Sequence, residues 1–127
     1  MKNGFLAITL ATLATFTVTG ESPASPGLIS PVNAKNLLAE NNGAVLLDVR
    51  NADEYAGGHI PKAILLPYDA INRESAAKAI PTKETTVVVY CRSGRRSAIA
   101  AGSLRKLGYL KVYDLGGIND WPYEIVK

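Results

Sequence analysis

The chain is 127 residues long, 47% hydrophobic and 20% charged, with 14 Lys and Arg against 11 Asp and Glu and a formal charge of +3. That balance excludes a disordered chain and fits a small globular core. Basic and aromatic residues do not interleave along a stripe, so no nucleic-acid partner is expected, and a single Cys and a single His supply neither an internal disulfide nor the usual set of zinc ligands, so no metal is expected.

Lys2 gives the N-terminus a short positive start, and residues 5–18 are uncharged and mostly apolar. Gly20 and Ala24 are small residues suited to a cleavage site, with Val18 and Ser22 two residues before them. This is the pattern of a secretory signal peptide. Residues 1–24 are therefore expected to be signal peptide and leader, cleaved near residue 20 or 24. The apolar run falls short of the roughly 20 residues that cross a bilayer comfortably; an uncleaved anchor is the alternative. No Cys directly follows the run, so a lipid-bearing cysteine is not expected. The location expected is periplasmic or secreted, without stable membrane association after cleavage. One domain, residues 28–127, remains.

Residues 21–27 are rich in Ser, Pro and Gly and read as a linker. Leu28 and Ile29 offer a short edge strand. Ser30 and Pro31 then give an N-cap and a first helical position. Ala34, Leu37 and Leu38 follow at helical spacing, and Asn41-Asn42-Gly43 stops the helix. Residues 44–47 form a continuous apolar run, which suits a parallel strand covered on both faces. Ligands in open α/β sheets bind outside the carboxyl ends of strands, so Asp48 and Arg50 could line a site. The preferred reading makes Asp48, Arg50, Glu54 and His59 a structural network that holds the rim loops. Residues 53–55 open a short helix with acidic residues in its first turn, and Gly57-Gly58 breaks it. Residues 63–66 are a second short strand, residues 68–80 a helix ended by Pro81, and residues 87–90 a buried strand rich in β-branched residues. The Ala-rich segment after Ser97 is a helix ending near Gly108. Residues 111–113 are a last strand, Gly116-Gly117 a tight turn, and Trp121 a core aromatic. The class is α/β, with a small, mostly parallel sheet flanked by helices.

The only cysteine, Cys91, falls where the strand of residues 87–90 stops, and Arg92-Ser93-Gly94-Arg95-Arg96-Ser97 carries the chain into the helix. Thiolate is the nucleophilic form of cysteine, and a free thiol has a pKa of about 8.5. A helix N-terminus brings unpaired N–H groups and positive potential, and three arginines add fixed charge. Both lower a thiol pKa, and the same cradle suits an anionic substrate. The plainer alternative is a buried, inert Cys beside a solvated basic turn.

The stretch from Tyr90 to Ala98 resembles the active-site loop of the rhodanese family of sulfurtransferases. The stretch Asp48-Val49-Arg50-Asn51-Ala52-Asp53-Glu54-Tyr55, followed by Gly58-His59-Ile60-Pro61, resembles that family's upstream signature. Leu115-Gly116-Gly117-Ile118-Asn119-Asp120-Trp121 resembles its C-terminal signature. The three lie in the family's order, and small secreted bacterial rhodaneses are the nearest pattern. Lys62 stands where the family usually has glycine, and the tail lacks the Gly-x-Pro ending of longer relatives. The resemblance implies a three-layer sandwich, a catalytic Cys91, substrate binding by Arg92, Ser93, Gly94, Arg95, Arg96 and Ser97, a mainly structural upstream signature, and no cofactor. It implies that Cys91 takes a sulfane sulfur from a small anionic donor such as thiosulfate and hands it to cyanide or a thiol. A monomer is expected.

Three alternatives stand beside this reading. A non-catalytic persulfide carrier or partner-binding module would share the same motifs. A cysteine-dependent phosphatase or arsenate reductase would carry an arginine six positions after the cysteine, where this chain has Ser97; the loop is one residue short, which suits sulfur better than a tetrahedral oxyanion. His59 could serve Cys91 as a base, although persulfide chemistry needs an anion cradle more than a proton shuttle.

Overall fold

The short apolar runs pair as parallel strands, and the connections between them fold over both faces of the sheet. The computed structural model describes residues 27–127. The expected signal peptide, residues 1–24 with cleavage at Gly20 or Ala24, lies outside the described residues. In chain order the elements are α1 (Pro31–Glu40), β1 (Val45–Asp48), α2 (Ala52–Ala56), β2 (Ile64–Leu65), a 3₁₀ turn (Tyr68–Ala70), α3 (Arg73–Ala79), β3 (Thr86–Cys91), α4 (Arg95–Lys106), β4 (Lys111–Gly117) and a second 3₁₀ turn (Ile118–Asp120). The strands run in the order β2-β1-β3-β4, all parallel. Their carboxyl ends therefore share one rim.

The alternation of side chains along the strands builds two cores. Leu47, Val49, Val87, Val89 and Cys91 face Ala76 of α3 and Ala100, Ala101 and Leu104 of α4. Leu46, Val88 and Tyr90 face Ala34, Leu37 and Leu38 of α1. This is the expected three-layer sandwich. Its central strand, β3, is buried along its whole length, which is why that run reads as uninterrupted hydrophobicity in the sequence.

Several local expectations are refined. Ser30 caps α1 as expected, its hydroxyl accepting from the Asn33 amide at 3.2 Å. The expected edge strand reduces to one parallel bridge between Leu28 and Asp114. The helix expected over residues 68–80 is divided: Ile71 is extended, and Asn72 opens α3 through a reciprocal capping box with Ser75. Gly116 and Gly117 belong to β4 rather than to a free turn. The register slips there, Val89 facing Asp114 and Tyr90 facing Gly116, and Gly116 takes φ +89; the extra residue, Leu115, is a bulge. Lys62 sits at φ 72, the left-handed conformation that favours glycine. Trp121 packs against the α1-side core but stays partly open.

The rim is fastened by a buried carboxylate. Asp48, 0% exposed, accepts from Arg50 Nε at 2.9 Å and Nη2 at 2.7 Å, and from the Tyr90 hydroxyl at 2.7 Å. Arg50 Nη2 also donates to the Gly58 carbonyl, and the Ile60 amide donates to the Tyr90 hydroxyl. Burial pulls the Arg50 guanidinium down, but the hydrogen bonds and charge of Asp48 outweigh it and hold it above its ordinary value. Glu54 and His59, expected in this network, stand apart from it. Glu54 turns to Arg96. The His59 ring stacks on Tyr55, and its Nδ1 lies 2.9 Å from the Tyr55 carbonyl.

Arg50→Ala leaves the Asp48 carboxylate buried without its cation, and unfolding in urea should show a loss of about 3–5 kcal/mol. Tyr90→Phe removes one hydrogen bond to the same carboxylate and should cost about 1–3 kcal/mol. Wild-type stability in both variants would mean that the rim does not depend on Asp48.

Candidate active site

Cys91 ends β3, and the loop that follows is shorter than the sequence indicates because α4 begins at Arg95 rather than after Ser97. Gly94 is the residue before the helix, at φ +118, a conformation most side chains resist. Its N–H donates to Cys91 Sγ at 3.0 Å. The sulfur thus sits at the N-terminal end of a three-turn helix, facing amides that have no partner within it. Cys91 is only 1% exposed, so the residue is set into the protein rather than standing out from the loop. Burial pushes the thiol up; the Ser97 hydroxyl and the amides of Ser97, Gly94 and Ser93 outweigh that and bring it below its ordinary value. The Ser97 hydroxyl has one proton, and in this geometry it donates to the Gly94 carbonyl at 3.0 Å. Its contribution to the thiolate requires that proton to turn toward sulfur.

The three arginines occupy different environments. Arg96 forms a two-pronged pair with Glu54, Nη1 to Oε1 at 2.8 Å and Nη2 to Oε2 at 2.9 Å, and is 20% exposed. This holds the guanidinium above its ordinary value. The same hydrogen bonds bring the Glu54 carboxyl down to about 2, against the opposing effect of burial. Arg92 is 64% exposed, its only carboxylate contact among the described residues a 3.7 Å approach to Glu54. Arg95 is exposed and lies 5.8 Å from the centre of the Tyr68 ring. Arg50, within the Asp48 network, is buried. The Cys91 loop thus carries two outward cations and one braced cation.

One group beside the loop escapes a reading of the sequence. Tyr68 follows β2 and is drawn to the rim by its amide, which donates to the Val49 carbonyl at 3.0 Å. No local pattern marks it. The end of β4, which the resemblance implies packs near the active-site rim, lies there: Gly117 pairs in register with Cys91, and the Asn119 amide donates to the Arg92 carbonyl at 3.3 Å.

Fold and site together define an α/β sandwich with a thiol-centred anion cradle at the carboxyl end of its central strand. A family model described as the rhodanese-like domain matches residues 30–123. The chain is 39% identical over 81 residues to thiosulfate sulfurtransferase PspE of Escherichia coli (strain K12), spanning 64% of this chain and 77% of that protein. It is 38% identical over 98 residues to a sulfurtransferase of Allochromatium vinosum, spanning 74% and 89%. A solved structure described as rhodanese with anions from E. coli aligns with a TM-score of 0.62 at 37% identity, covering 66% of this chain and 98% of that one. The chain belongs to the rhodanese family. It is a sulfurtransferase, and its substrates are a sulfur donor and a sulfur acceptor.

The Glu54–Arg96 pair gives stability a defined pH dependence. The folded carboxyl titrates near 2 and an unfolded one near about 4.3, so the contribution is complete above the unfolded value and is lost as pH falls through the folded one. Glu54→Gln should lower stability at neutral pH by about 1–3 kcal/mol and flatten the acid limb between these values. Urea midpoints across a pH series measure this; an acid limb as steep as wild type would show that another carboxylate carries it.

Proposed function

We propose that this protein moves a sulfane sulfur from thiosulfate, or a similarly small anionic donor, to cyanide or a thiol through a persulfide on Cys91. The observation that carries the reading is the Gly94 N–H on Sγ at 3.0 Å at the head of α4, a setting that stabilises negative charge on that atom. The Cys91 thiolate attacks the outer sulfur of thiosulfate. The S–S bond breaks, its electron pair leaves with sulfite, and the sulfur remains on Cys91. The acceptor then attacks that outer sulfur and releases the Cys91 thiolate, forming thiocyanate from cyanide or a new persulfide from a thiol. The loop amides from Ser93 to Ser97 stabilise the terminal sulfur anion.

The arginines divide by environment. Arg95, exposed, and Arg92, exposed and no closer than 3.7 Å to Glu54, orient the donor dianion. Arg96, fully engaged by Glu54, braces the loop. That commitment also supports sulfur over phosphate chemistry, because the arginine that follows the loop is turned to a carboxylate rather than offered to an oxyanion. His59, engaged with Tyr55, is given no part in the reaction.

Intact mass after thiosulfate treatment should show one added sulfur, and Cys91→Ser should show none. Arg92→Ala and Arg95→Ala should each raise KM for thiosulfate by about tenfold with an unchanged melting temperature, whereas Arg96→Ala should melt lower. Absence of added sulfur on the wild-type protein would overturn the donor reading. Thiocyanate release that stops at one sulfur per chain would replace the enzyme with a carrier.

The same proposal has residues 28–127 act as a monomer outside the cytoplasm after removal of the leader. It is supported by Lys2, the apolar run of residues 5–18 and the small residues Gly20 and Ala24. N-terminal sequencing of exported protein should find a start just after Gly20 or Ala24, with sedimentation at monomer mass. A start at Met1 in the membrane fraction would replace this with an anchored protein.

A further inference from the structure

Gly117 ends β4 directly beside Cys91 in the sheet register. A Cβ at this position would lie 2.7 Å from Ser93 Cα and 3.0 Å from the Arg92 carbonyl carbon, and would press on the Arg92 carbonyl oxygen. These are backbone atoms, and no rotamer change can move them aside. The Arg92–Ser93 peptide is therefore seated on a surface that only glycine leaves open. The Asn119 amide, two residues on, donates to the Arg92 carbonyl at 3.3 Å. With its carbonyl held between β4 and Asn119, this peptide sets the path of the chain into Gly94, whose N–H donates to Cys91 Sγ at 3.0 Å. The bulge at Leu115 is what brings this glycine into place: Asp114 Oδ1 accepts from the Gly116 amide at 2.9 Å, and the slipped register sets Gly117 opposite Cys91.

We infer that Gly117 is a positioning residue for sulfur transfer: with the Asn119 amide it fixes the Arg92–Ser93 peptide and so holds the next amide, the Gly94 N–H, on the reacting sulfur. The inference rests on Cys91 as the nucleophile and deepens that reading. It assigns the C-terminal Gly-Gly segment to the orientation of one cradle amide, not only to closure of the fold.

Two variants test it through the midpoint of thiolate absorbance against pH, which needs no substrate. Gly117→Ala should raise the midpoint by about half a unit or more and lower kcat/KM for thiosulfate by about tenfold or more. Replacing residue 119 by its α-hydroxy acid turns the amide into an ester, removing the N–H without adding volume, and should raise the midpoint in the same direction. Gly102→Ala, whose added methyl meets nothing within 4 Å among the described residues, should leave the midpoint unchanged. A wild-type midpoint in either variant overturns the inference, even if Gly117→Ala melts lower, because the glycine would then serve packing alone. If Gly117→Ala does not fold, the ester variant decides. Raised midpoints in a protein that takes no sulfur from thiosulfate would sink the donor reading and leave this inference standing.

Discussion

A side-chain hydrogen bond ties together the ends of the two strands on which the rim is built. The Tyr90 hydroxyl, on the residue before the cysteine, reaches the Asp48 carboxylate at the end of β1. Asp48 in turn holds Arg50, Arg50 holds the Gly58 carbonyl, and the Ile60 amide returns to Tyr90. Burial and the acceptor Asp48 push the Tyr90 phenol well above its ordinary value despite the opposing Ile60 amide, so it stays a neutral donor. A buried carboxylate costs several kcal/mol unless its lone pairs are met; here the phenol and the guanidinium meet them. The loop of residues 49–60 is therefore shaped by the demands of one charge, and the site is assembled on ground already fixed.

The cations of the Cys91 loop follow from that fixed ground. Asn51 opens α2 with a capping box, and Glu54, whose own side chain closes the box, also spans to α4 and takes Arg96. A carboxylate close to a reacting anion would ordinarily oppose it by like-charge repulsion. Engaged in two hydrogen bonds with Arg96, Glu54 is largely neutralised, and the exposed charge left at the loop is that of Arg92 and Arg95. In the proposed reaction, helix amides near Sγ and guanidinium groups farther out act on different parts of an incoming donor.

Much of this was legible in the sequence because it depends on near neighbours. Ser30-Pro31 marks a helix start through local backbone chemistry, and the apolar run of β3 marks a strand covered on both faces. The position of Cys91 between that strand and α4 marks a candidate site. What was not legible depends on contacts across the fold. Which arginine is braced turns on Glu54, 42 residues away in sequence. Tyr68 reaches the loop only through the pairing of its amide with Val49. The bulge at Leu115 depends on how β4 registers against β3, and no composition signal separates two glycines in a turn from two glycines in a strand. The division of residues 68–80 was locally encoded, in Asn72 and Ser75, but the surrounding helical pattern masked it.

The placement of Cys91 couples the chemistry of the sulfur to the integrity of the sheet. β3 is the partner of both β1 and β4, so the cradle exists only when strands from both sides have docked. In an unfolded chain the same thiol has ordinary acidity and is mostly protonated at neutral pH. The native thiol is the more acidic, so raising the pH through its midpoint favours the folded state, and this gain is complete once the unfolded thiol also ionises. Folding and ionisation thus reinforce each other: the native fold makes this thiol more acidic than it is in the unfolded chain, and a more acidic thiol in turn favours the fold as pH rises.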